Sequence, residues 1–92
     1  MDTVVCPEQL IFCNLADFRN VLLKGCRKGE YFGIDLSEMK KIDLSGFQLL
    51  ISAAQSVLSP LFLYPEEQAK RIQAMCEFCG MDFSDLFRIL ED

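Results

Sequence analysis

Tyr31-Phe32-Gly33-Ile34-Asp35-Leu36, followed after a short polar stretch by Ile42-Asp43-Leu44-Ser45-Gly46-Phe47-Gln48-Leu49-Leu50, carries the architecture of this 92-residue chain. The first run is compact, apolar, aromatic and β-branched, so it predicts a central strand. Ser37-Glu38-Met39-Lys40-Lys41 is a polar connection. The apolar period then changes. Phe47, Leu50, Ile51, Ala54, Val57 and Leu58 share one side of a helix over about residues 45–58. A strand handed on to a helix is the repeating unit of a largely parallel sheet.

The flanks extend the alternation. Thr3-Val4-Val5-Cys6 and Gln9-Leu10-Ile11-Phe12 are short extended runs around Pro7-Glu8. They predict a hairpin or a bent edge strand, where the N–H that proline lacks is not missed. Asn14 suits an N-cap, with Asp17 in the first turn. Leu15, Phe18, Leu22 and Cys26 then mark the buried side of a first helix. Gly29 is placed to stop it, with Arg27 and Lys28 at its negative end. Beyond Pro60, Leu61-Phe62-Leu63-Tyr64 reads as a buried strand, and Pro65, Glu66 and Glu67 as the first turn of a third helix. Ala69, Ile72, Cys76 and Cys79 align on its apolar side, and Gly80 closes it. Ser84-Asp85-Leu86-Phe87-Arg88-Ile89-Leu90 is expected to form a short terminal helix. The order β-β-α-β-α-β-α-α, without repeat or linker, gives one domain over residues 1–92, of α/β or α+β class.

Composition bounds the function. With 51% hydrophobic and 25% charged residues the chain has enough apolar material to fold, which excludes disorder. No run approaches the ~20 apolar residues of a membrane-spanning helix. The first twenty residues lack the basic and apolar regions of a secretory leader, so a cytoplasmic location is expected. Nine basic residues against fourteen acidic give a net charge of −5, unfavourable for nucleic acid or an anionic membrane surface. Histidine is absent, which removes Ser-His and Cys-His nucleophiles and histidine metal sites. No catalytic residue, metal or cofactor is expected, and the balance moves from enzyme to binding module. Five cysteines include the pair Cys76 and Cys79, whose spacing also occurs in redox and metal motifs. Their apolar helical setting favours packing, and a zinc site would need a second such pair.

The helix after Ile42 has a second stripe: Ser45, Gln48, Leu49, Ser52 and Ser56. It carries hydroxyls, amide and one leucine, with no charge. Exposed helix faces usually carry Lys and Glu, and partner-contacting patches are depleted in charge. These five residues are the candidate partner surface, against the plainer alternative of a solvated face that lacks charge. Ser45 stands where loop becomes helix, where its hydroxyl can cap the first turn. The same place favours a phosphate, which would bring about −1.5 to −2 charge to a neutral face. Gly46 lets another backbone come close. Asp43 is expected to hold the turn by accepting from nearby N–H groups.

These two segments, Phe32 to Ser37 and Ile42 to Leu50, resemble the STAS domain (sulfate transporter and anti-sigma factor antagonist), whose hallmark is a strand ending in Asp, then Asp-Ser-Ser-Gly at a helix start. Leu61-Phe62-Leu63, the segment Ala69 to Cys79, and Gly80-Met81-Asp82-Phe83-Ser84-Asp85-Leu86-Phe87 extend the likeness over nearly the whole chain. The resemblance implies an α/β fold with a four- to five-stranded mixed sheet and helices packed mainly on one face. It also implies regulatory binding in place of catalysis. In the anti-sigma antagonist branch the second serine of the motif is phosphorylated by a partner kinase that is itself the anti-sigma factor. Ser45 matches that serine and Asp43 the family aspartate, while Leu44 replaces the first serine. The implied partners are a serine kinase of the anti-sigma type, a chemotaxis component, or the ATPase of a phospholipid-transport ABC complex. In the last two cases the domain would be a constitutive subunit without a phosphoswitch. The first strand, at an edge, could also pair with a copy of itself to give a homodimer.

Overall fold

In the computed structural model, which describes residues 2–27, 32–57 and 60–90, the two apolar periods separate into strands and helices. Strand β1 spans Asp2–Val5 and β2 Gln9–Leu10. A 3₁₀ turn at Phe12–Asn14 leads into helix α1, Leu15–Arg27. Strands β3 (Phe32–Asp35) and β4 (Lys41–Ile42) precede helix α2, Leu44–Ser56. Then come β5 (Leu61–Tyr64), α3 (Glu66–Phe78), α4 (Phe83–Leu86) and β6 (Phe87–Ile89).

The main sheet has the order β1-β3-β5-β6, and β2 and β4 form a small second sheet. Every pairing among the described residues is parallel. The α/β class stands, and the mixed sheet is corrected to a four-stranded parallel one. Of the two alternatives at the start of the chain, the hairpin does not form, and the edge strand bent at Pro7 does. Pro7 turns the chain away after β1, so β1 pairs with β3, and β2 pairs with β4. Because the strand order follows the chain, right-handed crossovers put the connecting helices on one side.

Register shows which side. Val4, Ile34, Leu63 and Ile89 lie in one row across the sheet, and Leu61 pairs with Phe87. Of these, Ile34, Leu61, Leu63 and Phe87 are fully buried in a single core with Phe47, Leu50 and Ile72. The alternate row, Thr3, Gly33, Phe62 and Arg88, faces the other way and has exposed ends.

Three further expectations change. Residues 84–90 are not one helix, because α4 stops at Leu86 and Phe87 turns extended to pair with Leu61. Burying the Phe87 ring and completing a fourth strand outweighs another helical turn. The polar connection after β3 hides Met39 in the core and supplies β4. Cys79 is exposed, because α3 ends at Phe78 and Gly80 adopts φ 74°, reversing the chain. The amide of Met81 then donates to the Cys76 carbonyl at 2.8 Å, closing the helix as the glycine foretold. Pro65 sits one position earlier than expected, at the N-cap of α3. The stop at Gly29, Lys28, and the contributions of Tyr31 and Leu58 lie outside the described residues, as does the Cys26 side chain.

Candidate functional site

Asp43 organises the start of α2. It is the N-cap in extended conformation, and its Oδ1 accepts from the Gly46 amide at 2.9 Å. Its Oδ2 accepts from the Phe12 amide, also at 2.9 Å, so one carboxylate ties the helix to the 3₁₀ turn 31 positions upstream. Those hydrogen bonds, first from Phe12 and then from Gly46, hold its pKa below the ordinary 3.8. The turn-holding role expected of Asp43 is what the structure shows. The expectation that Ser45 can cap is corrected: the cap is Asp43, helix begins at Leu44, and Ser45 is its second residue.

Gly46 is required by close approach. A Cβ there would lie 2.1 Å from the Leu10 carbonyl oxygen and 2.8 Å from its Cγ. Helix α2 therefore seats directly on β2, and its first turn cannot drift. Leu44, next to the cap, is 58% exposed, and Phe12 is 76% exposed. Two large apolar groups thus stand in water on residues flanking or bonded to Asp43.

The five stripe residues come together as expected. Ser45, Gln48, Leu49, Ser52 and Ser56 line one side of a groove of about 370 Å³. Ser45 and Leu49 are half-buried, and Gln48, Ser52 and Ser56 are exposed. Ser56 donates its hydroxyl to the Ser52 carbonyl at 2.8 Å, satisfying itself within the helix. Among the described residues no hydrogen bond engages the Ser45 hydroxyl. The opposite wall comes from α1: Leu15, Arg19, Leu22 and Leu23. Arg19 is the charged side chain on a lining otherwise made of apolar groups, hydroxyls and one amide. None of these α1 residues was marked by the sequence as part of the site. Leu15 and Leu22 were legible as the buried side of α1, but which helix they would meet was not.

The cysteine pair does not form a site of its own. Cys76 is buried, and its thiol is pushed up by burial first, then by the charges of Cys79 and Glu77. Cys79 is exposed, so the two thiols face different surroundings. Cys6, buried beneath β1, is pushed up to about 12 by burial and then by Asp35. A raised pKa disfavours the thiolate, the form that reacts or binds metal. Among the described residues no group of His, Cys, Asp and Glu is arranged to hold a metal ion. No described helix is long and apolar enough to cross a membrane.

Compared with protein-family models, curated proteins and solved structures, the chain matches none of them.

Proposed function

We propose that this chain is a non-catalytic regulatory binding module of the STAS type, cytoplasmic, that engages a partner protein through the head and outer side of α2. Phosphorylation of Ser45 is the switch. The observation that carries this is the groove: an uncharged wall of Ser45, Gln48, Leu49, Ser52 and Ser56 with exposed Leu44 at its head. An uncharged helix face beside exposed apolar surface is suited to protein docking.

The role of Asp43 supports the switch. Because a carboxylate caps the helix, the Ser45 hydroxyl is left over for chemistry, half-exposed at the second helical position. The first turn of α2 contains no acidic residue, unlike those of α1, α3 and α4. A phosphate on Ser45 would be favoured there by the helix dipole and would still place a dianion on a neutral docking face. Docking would then carry the cost of stripping water from that dianion.

The test is intact-mass measurement after incubation with ATP and a serine kinase of the anti-sigma class. Wild type is expected to gain one phosphate and Ser45→Ala none. No gain, or an equal gain in Ser45→Ala, would remove the switch and leave a constitutive interface of the kind a chemotaxis or ABC-transport subunit would have.

A further inference from the structure

The outer edge of β1 is a second, separate surface. Cys6 donates its amide to the Asp35 carbonyl at 2.8 Å, and Val4 is in register with Ile34. In a parallel ladder successive residues point their backbone groups to opposite sides. The amides and carbonyls of Val4 and Cys6 therefore serve β3, and those of Thr3 and Val5 point away from the sheet. Among the described residues no other strand lies on that side, because β1 ends the order of the main sheet.

Beside this edge runs a groove of about 730 Å³, bounded by Val5, the turn at Pro7 and Glu8, and residues of α1. Its apolar lining includes Val5 and Val21, 52% and 45% exposed, and the ring of Phe18. Its charged residues are Glu8 and Asp17, both acidic. Lys40 pairs with Glu8 at 3.3 Å but both side chains stay well exposed, so the pairing offsets little, and Asp17 has no ion pair among the described residues.

We propose that this edge and groove accept an extended segment of another protein, carrying both apolar and cationic residues, as an added parallel or antiparallel strand. Backbone groups of Thr3 and Val5 supply the hydrogen bonds. Its apolar side chains pack on Val5 and Val21, and its Lys or Arg side chains meet Asp17 and Glu8, the carboxylates of the groove. A second copy of this chain fits less well, since it would bring the same two carboxylates and a net charge of −5 to meet their like.

Two exposed cysteines make the test internal: Cys13 lines this groove, and Cys79 does not. Wild-type protein is labelled with iodoacetamide in the presence of the hexapeptide acetyl-(Lys-Val)₃-amide, and each site is quantified by peptide mass mapping. Labelling of Cys13 is expected to slow about fivefold or more at saturating peptide while Cys79 is unchanged. Amide exchange at Thr3 and Val5 should slow as well. Asp17→Lys, a surface change, should abolish both effects. The proposal is overturned if acetyl-(Glu-Val)₃-amide protects equally, if N-methylation of alternate peptide residues makes no difference in either register, or if no peptide protects Cys13. It is equally overturned if Thr3 and Val5 amides are already protected in a concentration-dependent way without peptide, the mark of a homodimer. None of these outcomes depends on Ser45.

Discussion

Helices α2 and α3 are both thirteen residues long and both send apolar groups into the core, yet their outward sides differ. Helix α3 carries Glu66, Glu67, Lys70, Arg71 and Glu77, and α2 carries no charge. The start of α3 has no side-chain cap, and two acidic residues in its first turn meet the dipole instead. Glu66 also pairs with Lys70 one turn on, at 3.4 Å. Gln68 and Arg71 reach back to carbonyls of the β3–β4 connection at Leu36 and Lys40. The outward side of α3 is thus occupied by charge and by hydrogen bonds to the neighbouring connection. Helix α2 is capped by the carboxylate of Asp43, directly before it, and its outer side forms a groove with α1. Folding alone asks for charge on a wet helix face, and only α3 supplies it.

The contrast can be broken or sharpened by substitution. The largest effect is expected from Leu50→Ala, which empties a fully buried site under α2 and should cost about 2–5 kcal/mol in chemical denaturation. Glu67→Ala on the exposed side of α3 should stay within about 0.5 kcal/mol. Similar losses from both would mean that α3 is not the solvated helix described. Gly46→Ala comes next. Its methyl group would press on the Leu10 carbonyl, and an overpacking loss of about 1–3 kcal/mol is expected, with helix α2 displaced from β2.

A smaller, pH-dependent effect should belong to Asp43. Its folded pKa lies below the ordinary 3.8, so the folded state binds fewer protons than the unfolded state in that range. Its contribution is complete above about 3.8 and is lost as pH falls through the depressed folded value. Thermal melts from pH 6 down to pH 2 should show Asp43→Asn losing part of that acid dependence. An unchanged acid limb would detach the carboxylate from the stability of α2. Asp82, held down by the Ser84 hydroxyl and amide, contributes in the same direction and remains in both proteins. The smallest change is expected from Lys70→Ala, which breaks an exposed pair on α3 and should cost about 0.3–0.5 kcal/mol.

What the sequence disclosed follows the range of the forces involved. The strand around Ile34 and the core stripe of α2 were legible because burial imposes a local period on apolar residues. Gly80 was legible for the same reason, since a left-handed closing turn is written in one residue. Phe87-Arg88-Ile89 was misread because three residues fit a helix stripe as well as a strand, and only pairing with Leu61, far along the chain, decides. The turn-holding role of Asp43 was legible, but its second bond, from the Phe12 amide, was hidden, for it joins residues 31 positions apart. In the site, the α2 wall was visible as missing charge. The α1 wall was not, because Arg19 and Leu23 join it only through the packing of two helices.

The account stands or falls on whether the uncharged side of α2 docks a partner and is closed by an anion at Ser45. The direct measurement is titration calorimetry of a serine kinase of the anti-sigma class against wild type, Ser45→Ala, Ser45→Asp, Leu49→Arg and, as the α3 control, Lys70→Glu. Wild type, Ser45→Ala and Lys70→Glu are expected to bind alike, and Ser45→Asp and Leu49→Arg to lose binding by about tenfold or more. Undiminished binding by Ser45→Asp, or loss in the α3 control with Leu49→Arg unaffected, would contradict it.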